Sequence, residues 1–461
     1  VLFHTWTFAL FFVLVWPVYL AVKNTRWREP WLLLASYTFY GWWNPLYLAL
    51  IAYSTLLDYT VATLISRTSR IGLRKAWLAV SVANNLALLG FFKYAGFVTD
   101  GINTILLSVG ASYALPDPGL LLPVGISFYT FQSMSYTIDC YRGRIRREGN
   151  IIRYATFVAL FTQLVAGPVE RASNLLPQLR SERKVTAKDV SDGLSLFVVG
   201  LFKKIALADY LAIYVDRVYD APGQFQAPAL IVATIAFGWQ IYFDFSGYTD
   251  MARGAARMMG FRLMLNFNHP YLASGLGDFW GRWHISLSSW FRDYVYIPLG
   301  GNRKTEPATY RNMILTMLIS GLWHGAAWTF VMWGAVHAIG RAVTRRLEAT
   351  KSYQRRVPKF LKQVLVFAFV TFAWIFFRAQ TFDDAATVIT RIFTAGWSDP
   401  HFPLWAATLV MGVWAYQYIC ESRLRWVAKL APLRVGGVAL MILYLAIVPG
   451  PSGQPFYYFQ F

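Results

Sequence analysis

Charge is what this chain has least of. Only 14% of its 461 residues are Asp, Glu, Lys or Arg, against about 25% in a soluble domain, which excludes an ordinary water-facing globule. The two cysteines, Cys140 and Cys420, each lie near the end of an apolar run. Neither a disulfide framework nor a thiolate zinc site can be built from them. The short alternating segments of a membrane β-barrel are missing. No His/Asp/Glu set has metal-ligand spacing such as His-Glu-x-x-His, and neither a P-loop nor a dinucleotide fingerprint occurs. None of the serines, Ser127, Ser246, Ser286 and Ser288 included, sits in a Gly-x-Ser-x-Gly elbow. Internal repeats, low-complexity tracts and a separate soluble domain are lacking too.

Apolar residues fill the space. They make up 56% of the chain, with 19 Trp, 27 Tyr and 35 Phe, and recur in runs close to the ~20 residues that cross a bilayer core as helix. The fold class is an all-α polytopic membrane protein, one membrane unit over 1–461 with about 10–12 spans plus re-entrant helices. The net charge of +20 is spread over short loops, where a cytoplasmic bias explains it. No compact basic module points to nucleic acid. The first run, Leu2–Ala21, lacks a basic lead-in and a small-residue cleavage site, and is expected to be a retained helix.

Basic clusters fall at Lys23–Arg28, Arg67–Lys75, Arg142–Arg153, Arg180–Lys188, Arg253–Arg262, Arg303–Arg311, Arg341–Lys362 and Arg423–Arg434. Weakly charged linkers lie near Trp42–Pro45, Asp100–Leu120, Ala221–Ala227 and Ser398–Pro403. Placing the first set in the cytoplasm and the second outside gives alternating spans at 2–22, 30–44, 46–66, 76–98, 120–141, 190–215, 227–250, 362–379, 403–420 and 435–450. Both termini then lie outside. Residues 380–396 are expected as an amphipathic surface helix.

Two segments break the alternation. Residues 151–168 run from one basic loop to another, so they dip in and return or lie at the interface. Residues 312–340 do the same with 29 residues, about 44 Å of helix at ~1.5 Å per residue. Two crossings of a ~30 Å core need about 60 Å. A turn within the membrane is therefore expected, with Gly321 to Gly325 as the bend and His324 at it. Residues 262–299, interrupted by Asn266, Asn268, Pro270, Gly275, Gly277 and Pro298, are expected as short or re-entrant helices. Irregular backbone at membrane depth is tolerated only inside protein or beside a water-filled cavity.

His324, flanked by Trp323 and Trp328, is the leading candidate for general-base chemistry: a neutral imidazole accepts a proton from an alcohol near pH 7. The competing reading is a core histidine bonded to a carbonyl. His284 follows Trp280 and Trp283 and precedes Ser286, Ser288 and Ser289; it either orients a reacting group or satisfies a re-entrant backbone. Arg282, Arg292 and Asp293 are expected to tie this stretch to the cytoplasmic surface. Asp244 and Asp250 either form ion pairs or hold a histidine tautomer, the ion pair being the favoured reading. His4, His269, His337 and His401 have no distinguishing context.

Six ordered blocks resemble the membrane-bound O-acyltransferase family, in particular its bacterial branch containing the alginate O-acetyltransferase membrane subunit. They are Leu122-Pro-Val-Gly-Ile-Ser-Phe-Tyr-Thr-Phe-Gln132, Gln163-Leu-Val-Ala-Gly-Pro168, Phe243-Asp-Phe-Ser-Gly-Tyr-Thr-Asp250, Asn266-Phe-Asn-x-Pro-Tyr271, Asp278-Phe-Trp-x-Arg-Trp-His284 through Arg303, and Leu322-Trp-His-Gly-Ala-Ala-Trp328. They span about 120–335. Gly281 departs from the pattern, which has a second polar or basic residue there; this loosens the re-entrant helix.

The resemblance implies a tunnel open to both sides of the bilayer, with family histidine positions at His324 and His284. It implies a cytoplasmic acetyl donor as co-substrate (acetyl-CoA or an acyl-carrier thioester) and no bound cofactor. A periplasmic or secreted acetyltransferase partner and a polysaccharide acceptor, alginate-like, complete the implied system in the bacterial inner membrane. Tunnel-lining candidates are Trp280, Trp283, Trp323, Trp328, Ser286, Asp244, Asp250 and Arg282. A D-alanyl transferase for teichoic acids is the alternative within the superfamily. Outside it stand a transporter or flippase of a lipid-linked sugar, for which inverted repeats are expected, and a scaffold with inert histidines.

Overall fold

The computed structural model describes residues 2–165, 167–448, 450, 456 and 457. Among them the regular structure is all helical, and it divides into two compact units, 1–194 with 252–264 and 195–251 with 265–460.

The first unit holds α1 (Trp6–Val22), α2 (Arg28–Gly41), α3 (Tyr47–Arg67), α4 (Ile71–Ser108), α5 (Ile126–Tyr141), α6 (Ile151–Ala159), α7 (Phe161–Leu164) and α8 (Ala172–Arg180). The expected dip at 151–168 is a helix, a break at Leu160 and a single further turn, with residues 154–165 buried throughout. Its backbone is satisfied from inside the protein. Ser36 Oγ accepts from the Phe161 amide at 3.1 Å, and the Gln132 and Gln163 amides both donate to Phe157 O. Asp58, Ser81, Asn85 and Thr137 bond one another where α3, α4 and α5 meet. Buried polar groups are affordable in such a place only when paired.

The chain passes into the second unit along α9 (Ala187–Phe202), a π-helical turn at Lys203–Ala208 and α10 (Asp209–Tyr219), and returns through α11 (Ala227–Met258). Gly200 and Gly247 lie against each other, since a Cβ on Gly200 would sit 2.4 Å from Gly247 O. Next come α12 (Leu276–Arg282), α13 (Ile285–Phe291), a π turn at Arg292–Tyr296, α14 (Glu306–His324), α15 (Trp328–Ala349), α16 (Lys351–Arg356), α17 (Lys359–Arg378), α18 (Phe382–Thr394), α19 (Leu404–Glu421) and α20 (Ala431–Ile447). The amphipathic helix expected at 380–396 is α18, started by a capping box in which Thr381 and Asp384 exchange hydrogen bonds.

Four described helices, α3, α4, α11 and α17, are each long and apolar enough to cross a membrane; the pair 423–429 and α20, bent by 61°, makes a fifth if it is one span. The remaining expected crossings are shorter or less apolar.

The turn expected within 312–340 is present, at Gly325 to Ala327 and after Gly321, which stays inside α14. α14 and α15 form a hairpin whose three-residue break, Gly325 to Ala327, follows directly on His324. Small residues allow its arms to touch: a Cβ on Gly321 would lie 2.3 Å from Phe330 O, and one on Gly334 2.6 Å from Met317 O. At Gly325 a Cβ would strike the Phe330 ring at 2.0 Å, so the turn itself excludes a side chain.

Candidate active site

His324 ends α14 and is 4% exposed. The rings of Trp323, Trp333 and Phe377 stand 5.0, 5.0 and 5.2 Å from its imidazole, all steeply tilted to it. Three different helices build this aromatic box. Its effect is to keep bulk water from the ring.

His284 is fully buried and held in a left-handed conformation at φ 42°, rare for a non-glycine residue. The cause is legible locally. The extended segment 266–268 runs beside 282–286, with the Asn268 amide donating to Arg282 O and the Ile285 amide to Asn266 O, both at 2.9 Å. The Asn266 side chain then clamps the corner. Its Oδ1 accepts from the Ser286 hydroxyl at 2.9 Å and the Ser286 amide at 3.2 Å, and lies 3.0 Å from His284 Nδ1. An amide oxygen only accepts, so the network puts the His284 proton on Nδ1 and the lone pair on Nε2. One indole links the two histidines: Trp323 is 5.0 Å from His324 and 6.3 Å from His284.

The other expected residues divide into two groups. Trp283 is buried against Phe267 and Trp374 at 5.1 Å each, and Trp280 packs on Trp333 at 5.7 Å, so both belong to the aromatic interior around the histidines. Trp328 opens α15 and is 63% exposed. Arg282 pairs with Asp278 one turn earlier and with Glu421, and Arg292 with its neighbour Asp293. The two acids of α11 pair with lysines of the π turn: Asp250 takes Lys203 at 2.7 Å, while Asp244 shares Lys204 with Asp209, both at 2.7 Å. A π turn widens the helix by one residue and is common near functional sites; here it presents successive lysines to two acids one helical stretch apart. Among the described residues, no three His, Cys, Asp or Glu side chains stand together as a metal site.

A cavity of about 580 Å³ opens beside these elements, lined by Trp280, Gly281, Ser288 and Ser320 and by three arginines, Arg292, Arg341 and Arg345. Gly281 faces open space: a Cβ there would meet nothing within 4 Å. The departure from the family pattern thus falls at the cavity wall.

The family model for the membrane-bound O-acyltransferase family matches residues 128–382, a stretch that includes both histidines, the hairpin and the cavity. The chain belongs to this family. As a member it is a membrane O-acyltransferase. Over 98% of this chain and 99% of the relative, it is 39% identical to a probable alginate O-acetylase of Pseudomonas putida. A peptidoglycan O-acetyltransferase of Helicobacter pylori is 38% identical over 80% of this chain and 74% of its own length. A teichoic acid D-alanyltransferase of Streptococcus thermophilus is more distant, 28% identical over 49% of this chain and 57% of its own.

Sequence reasoning passed over Asn266 as a functional partner, Lys204, and two of the three cavity arginines, Arg341 and Arg345. Asn266 appeared only as a chain interruption and a family block. Its role depends on a contact with a residue 18 positions away, for which no spacing rule exists. Arg341 and Arg345 lay within a basic cluster and read as topology signals.

Proposed function

We propose that this chain transfers an acetyl group from a cytoplasmic thioester to a hydroxyl of an extracytoplasmic polysaccharide, with His324 as the general base. The observation that carries this reading is an imidazole at the break of a helical hairpin, boxed by three aromatic rings and sharing an indole with a second, tautomer-fixed histidine. In the proposed reaction His324 takes the acceptor hydroxyl proton as the oxygen attacks the thioester carbonyl. The C–S bond then breaks, and the departing thiolate receives that proton. Base assistance of this kind contributes about 10²–10⁴ in rate. His284 orients the reacting carbonyl or serves as a second acid/base. Trp283 and Trp323 exclude the water that would hydrolyse the thioester. The donor enters through the arginine-lined cavity, its phosphates meeting guanidinium groups.

Acetyl rather than D-alanyl transfer is favoured by the longer and closer match to proteins named for acetyl transfer. The reading includes residence in a bacterial inner membrane with both termini extracytoplasmic, and a periplasmic or secreted partner that completes acetylation of an alginate-like polymer. The test uses protein in lipid nanodiscs with radiolabelled acetyl-CoA or acetylated carrier, comparing wild type with His324→Ala. Label reaching acetate or added polysaccharide with wild type alone is the expected result. Equal turnover by a well-folded His324→Ala would overturn the assignment.

A further inference from the structure

The bend that joins α15 to α17 is crowded with positive charge. Between Arg345 and Lys362 stand Arg345, Arg346, Lys351, Arg355, Arg356, Lys359 and Lys362, with Glu348 as the one acid. Three of these cations are engaged. Arg345 lines the cavity, Arg346 lies over the Tyr310 ring at 5.6 Å, and Lys362 lies over the Tyr353 ring at 4.8 Å while its Nζ donates to Gln354 O at 3.2 Å. The other four, Lys351, Arg355, Arg356 and Lys359, are exposed, and none of them forms an ion pair among the described residues. Gln354 donates to Glu348 O at 2.6 Å, which folds α16 back on the end of α15.

By itself this arrangement is unfavourable. α16 has six residues, Lys351–Arg356, far short of the ~12–15 an isolated helix needs. It sets Lys351 and Arg355 four apart on one face, where like charges repel. It contains no acid, and none of its residues is buried. A topological bias asks only for positive charge somewhere in a loop; it does not call for unpaired cations fixed on a helical turn. A negatively charged surface would supply what the chain omits.

The flanking helices say which surface. On α15, Ile339, Val343 and Leu347 recur at four-residue intervals; on α17, Phe360, Leu361, Val364 and Leu365 follow the bend; all seven are exposed. α17 is long and apolar enough to cross a membrane, so such a face meets hydrocarbon. The cations therefore sit where two lipid-facing stripes stop, with Leu347 four residues before Lys351 and Phe360 directly after Lys359. Negative charge at that depth is phospholipid phosphate. A soluble acidic protein fits less well, because apolar side chains reach within one turn of the cations on both sides.

We propose that this bend is a docking surface for anionic phospholipid headgroups, with Lys351, Arg355, Arg356 and Lys359 as the phosphate-binding cations. The proposal stands independently of the acetyl-transfer reading. Its consequence is a membrane contact that pins the end of α15, the helix whose earlier turns line the cavity.

The test titrates the full chain in neutral detergent with phosphatidylglycerol and, separately, with phosphatidylcholine, counting bound lipid by native mass spectrometry. Wild type is expected to bind phosphatidylglycerol the more tightly. Lys351→Gln/Arg355→Gln should bind it about 30-fold more weakly, about fivefold for each cation near an anionic surface, with phosphatidylcholine binding unchanged. Lys184→Gln/Lys188→Gln, an equally spaced pair in the first unit, controls for net charge and should stay within about threefold of wild type. Equal losses in the two double variants would overturn the proposal. So would equal binding of the two lipids by wild type, or a loss below about threefold in Lys351→Gln/Arg355→Gln. Loss of binding to both lipids marks a folding defect, and Arg356→Gln/Lys359→Gln then decides by the same criteria. Binding of an acidic acyl carrier protein that needs Lys351 and Arg355, where phosphatidylglycerol binding does not, would assign the surface to a protein and overturn the lipid.

Discussion

Replacing Asn266 with leucine should separate the corner's structure from its chemistry. Leucine nearly matches the side chain in size but removes the one oxygen on which the Ser286 hydroxyl, the Ser286 amide and His284 Nδ1 converge. All three groups are buried, and each orphaned buried donor costs about 1–3 kcal/mol. Because the Ser286 hydroxyl also lies 3.5 Å from His284 Nδ1, the full cost is not incurred at every group, and a loss of about 2 kcal/mol is predicted. Ser286→Ala is the internal control: it deletes one donor, leaves the oxygen its other two, and should cost about 1 kcal/mol. The two variants should differ in activity as well. The backbone bonds at the corner remain in this variant, but the oxygen that orients the imidazole through its Nδ1 proton is gone, so Asn266→Leu should lower kcat by about 10²-fold, the lower range of a positioned acid–base group. Ser286→Ala should lose less than about tenfold. Urea titration of detergent-solubilised protein gives the stability difference, and acetyl transfer in nanodiscs gives the rates. If Asn266→Leu proves no less stable than Ser286→Ala, or keeps wild-type kcat, the clamp does not hold His284.

Gly334→Ala places a Cβ 2.6 Å from Met317 O and must part the arms of the hairpin; overpacking of this kind costs about 1–3 kcal/mol, and displacing His324 should remove acetyl transfer before the protein unfolds in a thermal scan. Glu170, in the loop after α7, is raised by burial from 4.5 to about 7, against the lowering pull of hydrogen bonds from Asn174 and Met264. The folded state thus holds its proton more tightly than the unfolded chain. The stability it contributes is complete below pH 4.5 and is lost as pH rises through 7, a change of about 3 kcal/mol. Glu170→Gln should flatten that slope in unfolding measured across this pH range, and an unchanged slope would refute the linkage.

What the sequence made legible was whatever depends on length and local pattern. Twenty-nine residues between two basic loops cannot cross twice, and the structure bends them at the residues following His324. Asn, Pro and Gly in 262–299 forecast short helices, and α12, α13 and a π turn are what form. Pairings across the fold were a different matter. Asp244 and Asp250 were expected in ion pairs and form them, but their partners, lysines 47 and 40 positions earlier for Asp250 and Asp244, were not legible, because a π turn, invisible as a composition signal, rotates Lys203 and Lys204 toward them. His337 had no distinguishing neighbours in sequence, and the structure buries it among indoles.

These two kinds of information meet on α15. Its first turns close the hairpin through Gly334, its middle carries Trp333 and His337, and its last turns bring Arg341 and Arg345 to the cavity. A helix that must pack to backbone contact at one end cannot adjust easily at the other. The spacing between the arginines and the candidate base is therefore fixed by the hairpin's glycines, and under the proposed acetyl transfer that rigid interval would set the reach required of the donor. Lengthening the interval by inserting four residues between His337 and Arg341 would keep the helical face roughly in register while moving the arginines about 6 Å farther away. Acetyl transfer should then fall for a phosphate-anchored donor while transfer from a short thioester lacking the phosphate is spared; equal loss with both donors would mean that the arginines do not set the reach.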